Sequence, residues 1–143
     1  MTNYKLQQIA FLGLGLMDSS MSANLARKGF SVKGWNRIPN RPDVRIAKEA
    51  GVTRVSSIEE AIESANSIFI CVGDVPGMEE MILGEKKIIN HGKPGVLVVD
   101  FSIINTDAAR YLGTQLKHQN FRFSDAPIVG ETLGHNGVLL PLW

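Results

Sequence analysis

Residues 9–29 combine features that few folds accommodate together. Ile9–Leu12 is an unbroken apolar run, the pattern of a strand buried on both faces of a parallel sheet. The run stops at Gly13 and Gly15 and a helical pattern follows at once: Met17, Met21 and Leu25 recur every four residues, with Ala23 and Ala26 nearby, and Gly29 acts as a C-terminal stop. A strand that passes through a glycine turn into a helix leads to a second strand parallel to the first. Ser31–Trp35 is the expected return strand, weakened by Gly34.

The alternation continues along the chain. After a loop at Ile38–Pro42, a helix is expected over Asp43–Ala50, a short strand at Val52–Val55, and a helix at Ser57–Ser64 opened by a capping box of Ser57 and Glu60. Apolar strands follow at Ser67–Val72 and Val96–Val99, with a helical stretch near Met78–Leu83 and a loop at His91–Gly95 between them. Thr106–His118 carries Ala109, Leu112 and Leu116 at helical spacing, and Phe121–Phe123 precedes a turn at Asp125–Pro127. Strands separated by helices predict an α/β fold: a doubly wound, Rossmann-like parallel sheet in one domain. Beyond Pro127 only scattered glycines and the apolar tail Val138–Trp143 remain, so the fold is expected to be incomplete at its C-terminal end.

A chain of 143 residues forms one domain, with 44% hydrophobic and 20% charged residues in ordinary globular proportion. The net charge of +1 provides no electrostatic footprint for nucleic acid. No apolar run approaches the ~18 residues of a membrane span and the N-terminus lacks a signal-peptide core, so a cytoplasmic location is expected. The single cysteine, Cys71, lies in an apolar run and is read as core. His91 and His135 have no ligand-spaced partners, Lys117 and His118 read as solvated, and no metal is expected.

Gly13, Gly15 and Asp18 occupy the positions of G-x-G-x-x-G, in which glycines allow a tight turn, close approach to a pyrophosphate and close helix–strand packing. Placed between a strand and a helix, the motif predicts dinucleotide binding by Gly13, Leu14, Gly15, Leu16 and Met17. Asp18 replaces the third glycine. It suits a helix N-terminus as a cap, and it sets a negative charge where a pyrophosphate would sit. At the end of the second strand, where NAD-specific folds place an acid, the chain has Asn36 and Arg37, with Arg41 and Arg45 behind them. Arginine there suits a 2′-phosphate, which makes NADP the expected cofactor and NAD the second choice.

Three segments, IAFLGLGLMDSSMSANLARKGFSVKGWNR at 9–37, VVDFS at 98–102 and FSDAP at 123–127, resemble the N-terminal domain of the β-hydroxyacid dehydrogenases. That family includes 3-hydroxyisobutyrate dehydrogenase and 6-phosphogluconate dehydrogenase. The resemblance implies hydride transfer between NADP and a 3-hydroxy acid or small semialdehyde. It assigns Gly13 and Gly15 to the phosphate loop, Asn36 and Arg37 to the 2′-phosphate, Val72, Gly73 and Asp74 to the loop bordering the cofactor, and Ser102 to the nicotinamide and substrate side. The Ser102 hydroxyl has the alternative of bonding to a neighbouring backbone group.

The chain departs from the family toward its C-terminus. Val129 and Glu131 stand where the family has a Ser-Gly-Gly substrate loop, and the family's catalytic lysine would lie in a helix after residue 143. Three readings remain open. The chain is a dehydrogenase half, inactive alone, that needs a helical domain in trans; a non-catalytic nucleotide-binding or remnant module; or a structural domain that forms a homodimer through Val138–Trp143. The ligand expected is a small-molecule dinucleotide, with no nucleic acid and no membrane as partner.

Overall fold

The structure, a computed structural model, describes residues 7–126 apart from Gly15, Lys86 and Ile103, and for Leu16 the backbone alone. The expectations for Gly15, Pro127, Val129, Glu131 and the apolar tail lie outside the described residues.

Strand β1 (Gln8–Leu12) lies inside a parallel sheet, between β2 (Ser31–Trp35) and β4 (Ser67–Ile70). Outside β2 lies β3 (Thr53–Arg54), and beyond β4 come β5 (Leu97–Asp100) and β6 (Arg122–Asp125), giving the order β3-β2-β1-β4-β5-β6. The chain winds outward from β1 to β3, then returns to start β4 on the other side of β1. Strand order therefore reverses between β1 and β4, and a crevice opens at their C-terminal ends, the ligand position of such sheets.

The apolar run of β1 feeds two cores because successive side chains point to opposite faces. Ile9 and Phe11 join Leu14, Val32, Val44, Ala47 and Val52 on one face, covered by α1 (Leu16–Arg27) and α2 (Pro42–Glu49). Ala10 and Leu12 join Ile68, Ile70 and Val98 on the other, with residues of α3 (Ile58–Ile62), α4 (Val75–Leu83), α5 (Ile88–His91) and α6 (Thr106–His118). Gly34, the apparent weak point of β2, makes room for its neighbours: a Cβ there would stand 2.9 Å from a Leu14 methyl and 3.0 Å from a Val52 methyl.

Local capping sets several boundaries. The Ser57 hydroxyl accepts from the Glu60 amide at 3.1 Å, as the capping box predicts, while the Glu60 carboxylate reaches back to the Ser56 amide, one residue further than expected. Helix α4 starts at Val75, three residues before the apolar spacing suggested. The Asp74 carboxylate accepts from the Gly77 amide at 2.6 Å and Pro76 fits the first turn, where its missing N–H costs nothing. The four-residue helix α5 is too short for periodicity to reveal. Strand β4 ends at Ile70, which leaves Cys71–Asp74 as a loop at the crevice.

Candidate functional site

The ends of β1, β2 and β4 and the first turns of α1 and α4 enclose a cleft of about 470 Å³, within the range of small-molecule sites. Gly13, Met17 and Asp18 line one side of it; Asn36, Arg37, Ile38 and Arg41 line a second; Cys71–Asp74, Gly77 and Met81 line a third. The structure thus brings together three segments that the sequence assigned to one ligand.

Gly13 makes the convergence possible. Its φ of +111° is strained for other residues, and a Cβ on it would run into the Cys71 carbonyl oxygen. Its amide donates to the Trp35 carbonyl at 2.8 Å, so the loop after β1 is held against both neighbouring strands. Asn36 tightens the same junction. Its side-chain carbonyl accepts from the Leu14 amide at 3.1 Å, and its amide group donates to the Ile38 carbonyl at 2.7 Å. The residue matched to a phosphate contact therefore also clamps the glycine loop.

The cationic side of the cleft is uneven. Arg37 is exposed, and one guanidinium nitrogen lies 3.3 Å from where a Gly77 Cβ would be, so the side chain reaches from β2 toward α4. Arg41 is held by Asp43 at 3.1 Å. Arg45 points elsewhere, pairing with Glu49 on the surface of α2. Across the cleft, Asp74 is engaged as the α4 cap, whereas a Cβ on Gly73 would meet open space.

Asp18 is buried in the first turn of α1, where the positive end of the helix dipole favours a carboxylate. Burial, first of all, and the Asp18 carboxylate beside it push the Cys71 thiol well above its ordinary range. Cys71 is therefore a protonated thiol on the cleft wall, only partly buried rather than wholly in the core.

Ser102 is placed differently from the other matched residues. It is 2% exposed and does not line the cleft. Its hydroxyl oxygen accepts from the Val72 amide at 2.8 Å, the alternative its position allowed, and its own amide donates to the Asp100 carboxylate at 2.7 Å. Asp100 was not singled out in the sequence, although an acid closing an apolar strand is a signal. It is fully buried, its second oxygen has no hydrogen-bond partner among the described residues, and desolvation pushes its pKa up to about 6 against the opposing Ser102 hydrogen bonds.

This strand order and a cleft at the strand-order reversal, bounded by a glycine turn and a helix N-terminus, define a pyridine-nucleotide-binding domain of Rossmann type. Residues 8–140 match the family described as the NAD binding domain of 6-phosphogluconate dehydrogenase, and the chain belongs to that family. It is 44% identical over 133 residues to an uncharacterised oxidoreductase of Synechocystis, covering 92% of this chain and 46% of that protein. Among solved structures, the 3-hydroxyisobutyrate dehydrogenase of Mycobacterium tuberculosis with L-serine superimposes with a TM-score of 0.80 at 28% identity, over 87% of this chain and 41% of that one. An imine reductase from Myxococcus stipitatus in complex with NADP+ shares the fold, with a TM-score of 0.76 at 17% identity over 86% and 41% of the two chains. The chain thus spans less than half the length of these relatives. Among the described residues, no helix is long and apolar enough to cross a membrane, and no cluster of His, Cys, Asp and Glu has the arrangement of a metal site.

Proposed function

We propose that this chain is the NADP(H)-binding half of an oxidoreductase of the 3-hydroxyacid dehydrogenase or semialdehyde reductase type. The observation that carries the reading is the cleft itself, in which Arg37 stands open beside Asn36 and Gly73 leaves space that a side chain would fill. Such a donor set fits the group: backbone at Gly13 and the start of α1 would hold the pyrophosphate, Arg37 and then Arg41 the 2′-phosphate, and Val72–Asp74 the neighbouring part of the dinucleotide. Asp43 competes for Arg41, so Arg37 is the stronger cation for that phosphate. When bound, the nicotinamide would carry the hydride. The protein's part is to orient the dinucleotide and to exclude water from one side of it.

The same reading has the chain turn over slowly or not at all by itself. General acid/base help contributes roughly 10²–10⁴ in rate, and the acids lining this cleft are occupied, Asp74 as a cap and Asp18 beside Cys71. One observation favours a non-catalytic nucleotide module instead: the buried negative charge of Asp18 in the first turn of α1 opposes a diphosphate.

Fluorescence titration of the chain with NADPH and NADH at low salt tests the proposal. Saturable binding that favours NADPH supports it. Absence of saturable binding by either nucleotide overturns it.

A further inference from the structure

The loop that forms one wall of the cleft is held from behind by a chain of short hydrogen bonds. Cys71 and Val72 follow directly on β4, and the Cys71 amide still bonds to the Leu12 carbonyl at 3.1 Å, in the manner of the ladder. The next amide, Val72, has left the ladder and donates to the Ser102 hydroxyl across 30 residues of sequence. Ser102 in turn is fixed by Asp100, whose carboxylate accepts from the Ser102 amide at 2.7 Å. The Asp100 carbonyl also accepts from the Ala126 amide at 2.8 Å, so the end of β5 is tied on both sides. Asp100 and Ser102 are both buried and neither lines the cleft, while Val72 does.

Resting on the dinucleotide reading above, we propose that Asp100 and Ser102 are positioning residues for the ligand. Together they form a strut from β5 that fixes the Val72 peptide and so sets the width of the cleft at 71–74. Ser102 then acts through the backbone of its neighbour and not by touching substrate. A hydroxyl suits this place because it accepts from Val72 and keeps a proton to direct toward the carboxylate. The strut is also sensitive to charge. Asp100 faces Cys71 at the end of β4, with Asp18 of α1 beyond it, and Asp125 stands at its register position on β6. Buried at the end of β5 beside Asp125, the Asp100 carboxylate is the group whose protonation state the strut feels, and its pKa lies near 6.

Two measurements on the whole chain test this. Amide exchange followed by NMR reads the strut without any ligand: Ser102→Ala should lose protection at Val72 by about tenfold or more while Cys71 keeps it, and Ser102→Thr should restore it. NADPH titration between pH 5 and 8 reads its consequence. Ser102→Ala should weaken binding about tenfold, Ser102→Thr should recover most of this, and Asp100→Asn should flatten a wild-type pH dependence centred near 6. Unchanged Val72 protection in Ser102→Ala overturns the strut whatever binds. Lost protection with unchanged NADPH affinity overturns its role in positioning. Failure of the wild type to bind NADPH sinks the dinucleotide reading and takes the positioning role with it, whereas wild-type binding with unaffected variants sinks this inference alone.

Discussion

The Cys71 thiol lies beside the Asp18 carboxylate, which brings the end of β4 against the first turn of α1 at the edge of the cleft. The thiol is kept protonated by burial and by the adjacent negative charge, and the carboxylate sits at the favourable end of the helix dipole.

Cys71 should therefore be inert in the folded chain despite its place in the cleft wall. Thiolate-directed alkylation at pH 8 should run more than about a hundredfold slower than for a free cysteine. Asp18→Asn should speed it. Mass spectrometry of the time course measures both, and wild-type labelling at the rate of a model thiol would contradict the arrangement.

Removing the charge at Asp18 should tighten dinucleotide binding. Two unit charges about 4 Å apart at an effective dielectric of about 20 interact by roughly 4 kcal/mol, an upper figure that solvent reduces. Asp18→Gly, which restores the third glycine of the loop motif, should lower the Kd for NADPH by about ten- to a thousandfold. The same variant should lose about 1 kcal/mol of stability, because glycine is unfavourable in a helix and the first turn of α1 loses the carboxylate that its dipole favours, a change that urea denaturation separates from binding.

Arg37 should discriminate between the two nucleotides. Hydrogen bonds to a charged group are worth about 1.5–3 kcal/mol, so Arg37→Ala should weaken NADPH binding by about ten- to a hundredfold and leave NADH nearly unchanged. Arg41→Ala should have the smaller effect, since Asp43 already holds that guanidinium. Equal losses for both nucleotides would remove the 2′-phosphate assignment.

Asp100 should make the fold less stable as pH rises. Its folded pKa of about 6 lies above the ordinary 3.8, so between those values the folded chain retains a proton that the unfolded chain has released. Stability falls across that window, by roughly 3 kcal/mol at most, and levels off above it. Urea midpoints of wild type and Asp100→Asn compared from pH 4 to 7 should diverge in that direction, with the asparagine variant the more stable at neutral pH. Parallel curves would refute the assignment.

Gly34→Ala should destabilise the chain by about 1–3 kcal/mol, because the new methyl meets Leu14 and Val52 in a filled core. Since Leu14 follows Gly13 directly, this substitution should also weaken nucleotide binding. Denaturation and NADPH titration of one preparation measure the two effects.

The fold was legible because each of its decisions is local. The buried run of β1, the glycines after it, the spacing of α1 and the capping box at Ser57 act over a few residues, and their alternation admits little besides a parallel sheet. Boundaries slipped where a cap outranked periodicity, as at Asp74, or where an element was as short as α5. Of the site, the residue types were legible: Gly13, Asn36, Arg37 and Val72–Asp74 do line one cleft.

What each of those residues does was decided in three dimensions. Asn36 and Asp74 spend hydrogen bonds on the protein's own backbone, Arg41 is drawn to Asp43, and Ser102 lies behind the cleft wall, bonded to the Val72 amide. Asp100 acquires a role only because β5 lies beside β4, and Cys71 only because Asp18 comes to it from α1. The sequence by itself determined the sheet, the glycine turn and the charges available at its edge, since these follow from backbone sterics and apolar periodicity. Which polar groups remain free for a ligand was settled by the tertiary structure, because burial forces each donor and acceptor to take a partner wherever the fold brings one within reach.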